Sequence, residues 1–240
     1  TYVNPLITYV NPLITYVNVY KDYLRNTHMM KCFFFLSLLY PAVAWNPNNY
    51  PFIPASTDTT KVREMIIEAQ GKDKRILDIG CGLGYSTSSS KGSLGIDTDK
   101  QNIKRAKKLF PNKKFKQTFT NYNKYDNKYD VVTCMFYLNK VPQHVRKDII
   151  NMAINIAKER VVFVDISPEY KPDNHLLKYS IYIPDYIKNC RSDLSSFHEN
   201  ILVDGLLNIW IYNKKNKSDE YIFEQNILIN QPELYNGRNK

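Results

Sequence analysis

The sequence predicts an α/β protein built on a mostly parallel sheet that an antiparallel hairpin closes. Three observations predict it. Short apolar runs alternate with segments of helical periodicity, the order that parallel βαβ units require. One of those runs, Arg160–Ile166, is apolar enough to be buried on both faces, as a central parallel strand is. Late in the chain, two strand-like runs within Ile201–Tyr212 meet at Asp204-Gly205, a hairpin signal.

The elements follow in order. Ser56-Thr57-Asp58 can cap a helix in which Val62, Met65, Ile66 and Ala69 share one face, and Gly71 ends it. Arg75–Ile79 is a strand that runs directly into Gly80-Cys-Gly-Leu-Gly84, followed by a short Ser-rich helix at Ser86–Ser90. Ser93–Ile96 is a second strand, ending at Asp97. Lys100–Phe110 is helical, with Ile103, Ala106, Lys107 and Phe110 on one side and Pro111 stopping it. A third strand is expected at Lys114–Gln117 and a fourth at Tyr129–Cys134. Pro142–Lys158 is an amphipathic helix carrying Val145, Ile149, Met152 and Ile156, and Arg160–Ile166 is the fifth strand. Between residues 168 and 200, Tyr170, Leu176, Leu177, Tyr179, Tyr182, Ile183 and Tyr186 make an aromatic, apolar segment. It reads equally as a cap over a pocket or as packing on the sheet edge.

The folded domain is expected at residues 57–213, between segments of other kinds. Residues 1–28 are a repetitive leader in which Thr-Tyr-Val-Asn-Pro-Leu-Ile recurs, with Pro5 and Pro12 excluding a coiled coil. The chain does not begin with Met, and the reading favoured is that upstream sequence precedes the true start. Met29-Met30-Lys31, a short apolar run to Tyr40 and Ala42-Val43-Ala44 give residues 29–44 the pattern of a signal peptide. Trp45, directly after the small-residue site, resembles the start of the transit segment in bipartite plastid leaders of some algae. The expected destination is the secretory pathway or an organelle, with the cytoplasm as the alternative. Residues 45–56 are a Pro/Asn-rich linker and 214–240 a polar tail.

Of 240 residues, 43% are hydrophobic and 23% charged, with 8 Gly and 12 Pro, which excludes collagen-like, wholly disordered and multi-span membrane classes. The net charge of +10 suits a polyanionic partner, but it comes mostly from Lys among many Asn, Ile and Tyr, a bias an AT-rich genome also produces. Four cysteines, without a C-x-x-C pair or a histidine at ligand spacing, give no metal site.

The chemistry concentrates at Asp78-Ile-Gly80-Cys-Gly82-Leu-Gly84. Glycines there let the backbone approach a ligand at the sheet edge where α/β folds bind cofactors. The spacing is G-x-G-x-G, not the G-x-G-x-x-G of dinucleotide binders, which disfavours an NAD-dependent oxidoreductase. Asp78, inside the strand, would repel a pyrophosphate and suit an ammonium group. Asp97 follows Gly80 by 17 residues, close to the offset of an acid that binds ribose hydroxyls. A nucleoside with an amino group and no phosphate fits, and S-adenosylmethionine (SAM) is such a molecule.

With that loop, Gly95-Ile-Asp97, Tyr129–Cys134, Leu138–Pro142 and Val162–Pro168, the chain resembles the class I SAM-dependent methyltransferases, particularly the type 11 group that includes ubiquinone- and menaquinone-biosynthesis enzymes. The resemblance implies a Rossmann-like, seven-stranded, mostly parallel sheet with an antiparallel C-terminal hairpin and helices on both faces. It implies that Gly80, Cys81, Gly82 and Gly84 wrap the cofactor, Asp78 sits beneath its amino-acid end, Asp97 takes the ribose hydroxyls and Thr98 touches the adenine. Many relatives place an Asp after the third strand. Here Thr118-Phe119-Thr120-Asn121 stands instead, with Phe119 able to stack on adenine and Thr120 or Asn121 able to bond it. Cys134 ends the fourth strand, beside the first in such a sheet, and is expected to face the same crevice as Cys81. Tyr137 and His144 are expected near the pocket, and no catalytic base is identified. The acceptor implied is a small or lipid-like molecule. A nucleic-acid acceptor is the alternative, although no Asp/Asn-Pro-Pro-Tyr/Phe tetrapeptide follows the fourth strand, which has Cys134-Met-Phe-Tyr137. A degenerate fold kept for binding a partner is a further alternative.

Overall fold

The computed structural model of the chain describes residues 59–118 and 128–214. The leader, the signal-like segment, the linker and all of the polar tail except Lys214 lie outside the described residues, as do Phe119, Thr120 and Asn121.

Seven strands form one sheet, in the order β3-β2-β1-β4-β5-β7-β6. They are β1 (Ile76–Ile79), β2 (Leu94–Asp97), β3 (Phe115–Gln117), β4 (Tyr129–Met135), β5 (Ala157–Ile166), β6 (His198–Val203) and β7 (Leu207–Asn213). The first five run parallel; β7 lies antiparallel to β5, from Arg160 opposite Asn213 to Ile166 opposite Leu207, and β6 is antiparallel to β7. The hairpin turns through Asp204-Gly205-Leu206, with Gly205 at a φ of +65° that a side-chain-bearing residue adopts only under strain.

Five α-helices accompany the sheet among the described residues: α1 (Thr59–Ala69), α2 (Lys100–Leu109), α3 (Gln143–Ile156), α4 (Asn174–Tyr179) and α5 (Ile183–Asp193). The β2-α2-β3 crossover moves outward from β1 in one direction and β4-α3-β5 in the other. Right-handed crossovers therefore set α2 and α3 on opposite faces of the sheet. Covered on both sides, β1 is buried along its whole length, and β5 from Val161 to Ile166. Fully burying each Val, Ile or Leu there contributes about 1.5–3 kcal/mol.

Several expected elements shift. Asp99 caps α2, accepting from the amides of Gln101 and Asn102, and only Ile103 and Ala106 of the predicted face are buried, while Lys107 is exposed. α3 stops at Ile156, and Ala157-Lys158 extend β5 instead, paired with Tyr129 across from Ala157. Ser86–Ser90 form no helix. Their hydroxyls are taken up by tertiary bonds, with Ser86 and Thr87 donating to Asp78 and Ser90 to the Lys74 carbonyl, so the backbone does not wind. Lys214, placed in the tail, is tied to the sheet through its amide to Glu159 and its ammonium to the Ala157 carbonyl.

In the segment between β5 and β6, α5 packs against α3. Arg146 of α3, without solvent exposure, donates through Nε to Asp193 at 2.7 Å, through one terminal nitrogen to Asp185 at 2.9 Å and through the other to the Val141 carbonyl. Asp185 and Asp193 sit at opposite ends of α5, so one guanidinium clamps that helix at two points. Tyr186, on the inner side of α5, is fully buried and edge-on to Trp210 of β7.

Candidate active site at the carboxyl ends of the strands

The order reverses between β1 and β4, and α/β sheets bind ligands at the carboxyl ends of the strands at such a reversal. The glycine loop leaves β1 at this point. Its fixings begin with the backbone, where the Cys81 amide donates to the Ile96 carbonyl at 3.0 Å and the Gly84 amide to the Cys81 carbonyl at 2.8 Å. The Gly84 carbonyl in turn accepts from the Lys113 ammonium, which stands over the Phe110 ring. The loop is held in an open, curled form by bonds that precede any ligand.

Asp97 couples the loop to β2. One of its carboxylate oxygens accepts from the Gly82 amide at 2.8 Å and the other from the Asp99 amide at 2.7 Å. Each carboxylate oxygen has two acceptor positions, so the half-buried group retains capacity for two further donors. Vicinal ribose hydroxyls supply two. Burial pushes the acid upward from its ordinary pKa, opposed by these amide bonds and by the charge of Lys140. Thr98, beside it, is half-buried, and its carbonyl accepts from Gln117.

Asp78 is placed differently from the expectation of a carboxylate facing the ligand. It has no solvent exposure and accepts from Ser86 and Thr87 on one oxygen and from Thr133 on the other. Burial pushes it up to about 6, against the hydroxyl bonds and the charge of Arg63. In this structure Asp78 ties the far end of the loop to β4. Cys81 likewise turns its side chain into the core, against Ile103, Ala106 and Phe115, and leaves only its backbone to the loop. Cys134 is buried at the end of β4, on a strand adjacent to β1 as expected, and no disulfide joins the described cysteines. Burial raises both thiols far above their ordinary range. His144 stands exposed on α3.

Gly80 and Tyr137 come together. Gly80 has a φ of +68°, and a Cβ built there would stand 2.7 Å from Tyr137 Cγ and about as close to both neighbouring ring carbons. The ring lies across the glycine, so no other residue fits. The chain reaches this position through Phe136, the one described non-glycine residue with positive φ, at 58°. Phe136 is held there by an amide bond to the Val164 carbonyl at 2.7 Å, by near-complete burial and by the Arg63 guanidinium 4.4 Å from its ring centre.

Sequence reasoning overlooked the hydroxyl set Ser86, Thr87 and Thr133, the lysines Lys113 and Lys140, and the Asn139–Asp165 pair beyond β4. In that pair, Asn139 donates to Asp165 through both its side chain and its amide, at 1% and 0% exposure. The run of Ser and Thr directly after the loop was the available signal for the first group.

The cradle fits SAM at its nucleoside end: a curled loop open to close approach and an acid with two acceptor positions left. Among the described residues no group of His, Cys, Asp or Glu is arranged to hold a metal ion.

Comparison with known proteins agrees. Residues 76–160 match a family model described as a methyltransferase domain. A protein of Invertebrate iridescent virus 6, 235L, assigned as a methyltransferase by name only, is 34% identical over 114 residues, covering 45% of this chain and 42% of its own length. The chain thus spans less than half of that curated relative. Among solved structures, the CurJ carbon methyltransferase superposes with a TM-score of 0.50 at 13% identity, over 65% of this chain and 54% of that one. Magnesium protoporphyrin IX methyltransferase from Synechocystis PCC 6803, with bound S-adenosylhomocysteine (SAH), gives 0.49 at 16% identity, over 65% and 84%. The strand order, the glycine loop latched to an acid at the end of β2, and the match of residues 76–160 to a methyltransferase-domain model make the β1-to-β5 region similar to the methyltransferase domains of SAM-dependent enzymes.

Proposed function

We propose that the domain binds SAM across the carboxyl ends of β1, β2 and β4 and transfers its methyl group to a small-molecule or lipid-like acceptor. The observation that carries the reading is the Asp97 latch. The same carboxylate that fixes the Gly82 amide keeps two acceptor positions for ribose hydroxyls, so loop and acid form one preorganised cradle. SAM supplies a methyl group on a sulfonium that is its own leaving group. The protein's task is then to position an acceptor in line at close approach, which lowers the barrier without a strong base. Gly80, Gly82 and Gly84 would line the amino-acid end and Thr98 the adenine side. Cys81 would contribute backbone only, Asp78 would shape the loop from beneath, and Cys134 would floor the crevice.

The test is calorimetric titration of the full chain with SAM, followed by an acceptor screen. Asp97→Ala removes two bonds to a charged acceptor and the loop latch. At about 1.5–3 kcal/mol per bond, affinity falls at least tenfold. An unchanged dissociation constant would exclude the role.

A nucleic-acid acceptor is the second reading, favoured by one observation. Between Lys100 and Lys116 there are eight basic residues and no acidic one, and Lys100, Lys104, Lys107 and Lys108 make an exposed stripe along α2. Phosphate contacts would give RNA binding a steep salt dependence, and salt-insensitive or absent binding would remove the reading. We further propose that residues 29–44 direct export or organelle entry, on the signal-like pattern of their sequence. No helix among the described residues is long and apolar enough to cross a membrane.

A further inference from the structure

We propose that Tyr137 contacts the sulfonium of the methyl donor and makes the site prefer the charged donor over its neutral product. The inference rests on the SAM-binding reading and goes beyond it, because nothing in the cradle just described distinguishes SAM from SAH.

Three observations carry it. First, Tyr137 stands two residues past the end of β4, next to β1, at the point where the strand order reverses. Second, its ring covers Gly80, the first glycine of the loop. Tyr137 Cγ, Cδ1 and Cδ2 all lie within 3.0 Å of where a Gly80 Cβ would stand, a pattern given by a ring lying over the glycine rather than edge-on to it. Third, the ring is aimed by backbone that costs energy. Phe136 is left-handed at a φ of 58°, and its amide bond to Val164, its burial and the Arg63 guanidinium hold it so. Without that kink, residue 137 would continue the line of β4. Strain of this kind, held by buried contacts, belongs to positions whose geometry is used.

The electrostatics agree. A tyrosine ring offers a negative face to a cation within about 6 Å, and a desolvated contact is worth more than an exposed one. Tyr137 is half-buried, past the end of β4 and beside β1, the strand that carries Asp78. Lys140, whose amide bonds to the Tyr137 carbonyl, and Arg63, stacked on Phe136, carry positive charge in the same region. An aromatic face is the element that offsets them for a cationic donor. After transfer the sulfur is neutral, the attraction to the ring disappears and the product is released more readily.

The experiment compares SAM and SAH affinities by calorimetry on the full chain and on Tyr137→Leu, Tyr137→Phe and a chain with pentafluorophenylalanine at position 137. The last keeps the ring's shape but removes its negative face, and thermal melts verify that each variant is folded. Tyr137→Phe should keep the SAM-to-SAH affinity ratio of the parent. Tyr137→Leu and the fluorinated ring should lower it about fivefold, through weaker SAM binding with SAH little changed. If Tyr137→Leu fails to fold, the fluorinated variant alone decides. Loss of both ligands in equal measure, or a fluorinated variant with the parental ratio, would show the ring to be a packing wall and overturn the proposal. A parent chain that binds neither SAM nor SAH would instead overturn the cofactor reading beneath it.

Discussion

Replacing Arg146 should unfasten α5. Arg146 and Asp193 both have no exposed side-chain surface, and the guanidinium joins Asp193, Asp185 and the Val141 carbonyl at once. Arg146→Met keeps the volume and removes the charge, leaving the Asp193 carboxylate buried with Gln143 at 2.8 Å and the half-exposed Lys147 at 3.7 Å. Breaking a buried pair from one side costs about 3–5 kcal/mol. The remaining Gln143 bond and Lys147 charge place this case near the lower end, about 3 kcal/mol. With a urea m-value of about 2 kcal/mol/M, the midpoint should fall by about 1.5 M. Trp210, edge-on to the Tyr186 that α5 buries, reports the transition by fluorescence. Arg146→Lys should lose nearly as much, because an ammonium cannot reproduce the fork. Combining Arg146→Met with Asp193→Leu removes both charges and should recover most of the loss. A midpoint shift below about 0.5 M, or a double variant with strictly additive losses, would show that the clamp does not hold the helix.

Gly80→Ala should abolish SAM binding and lower the melting temperature, since the new methyl would stand 2.7 Å from the Tyr137 ring at a φ of +68°; parental behaviour in both measurements would contradict the observed loop. Asp78 predicts a pH dependence. Its pKa is raised on folding from an ordinary 3.8 to about 6, so the folded state holds the proton more tightly and stability falls as pH rises through that window. The loss is about 2 kcal/mol between pH 4 and pH 7 relative to Asp78→Asn, and parallel stability curves for the two proteins would refute it. For the leader, mass spectrometry of protein made in a secretion-competent host should find Trp45 as the new N-terminus. Recovery of only the uncleaved chain from the cytosol would exclude export.

The parts of the fold that were legible in the sequence are those set by local pattern. The mostly apolar runs at 76–79, 94–96 and 161–166 name their strands because a strand covered on both faces draws mainly on apolar residues. The glycine loop and Asp97 could be read because a turn and its acid lie at a characteristic separation. What escaped depends on partners distant in sequence. Arg146, which no local pattern marks, is fully buried because Asp185 and Asp193 approach from some forty residues away. Ser86 and Thr87 read as a weak helix, yet a carboxylate eight residues earlier takes their hydroxyls. The left-handed Phe136 carries no compositional mark at all. Its conformation is imposed by Arg63, Val164 and the packing around its ring.

The order of the last three strands bears on how the domain comes together during synthesis. β5, buried from Val161 to Ile166, gains its second neighbour only when β7 arrives, the last strand among the described residues. Until residues 207–213 leave the ribosome, the edge from Arg160 to Ile166 has open amides and carbonyls, and β6, made earlier, cannot cover it because its partner is β7. A nascent chain paused before Leu207, or a message truncated there, would present a bare hydrophobic edge to its neighbours. Protection of that edge therefore falls to chaperones for as long as translation of the hairpin takes, and codon choice across residues 198–213 becomes a determinant of yield.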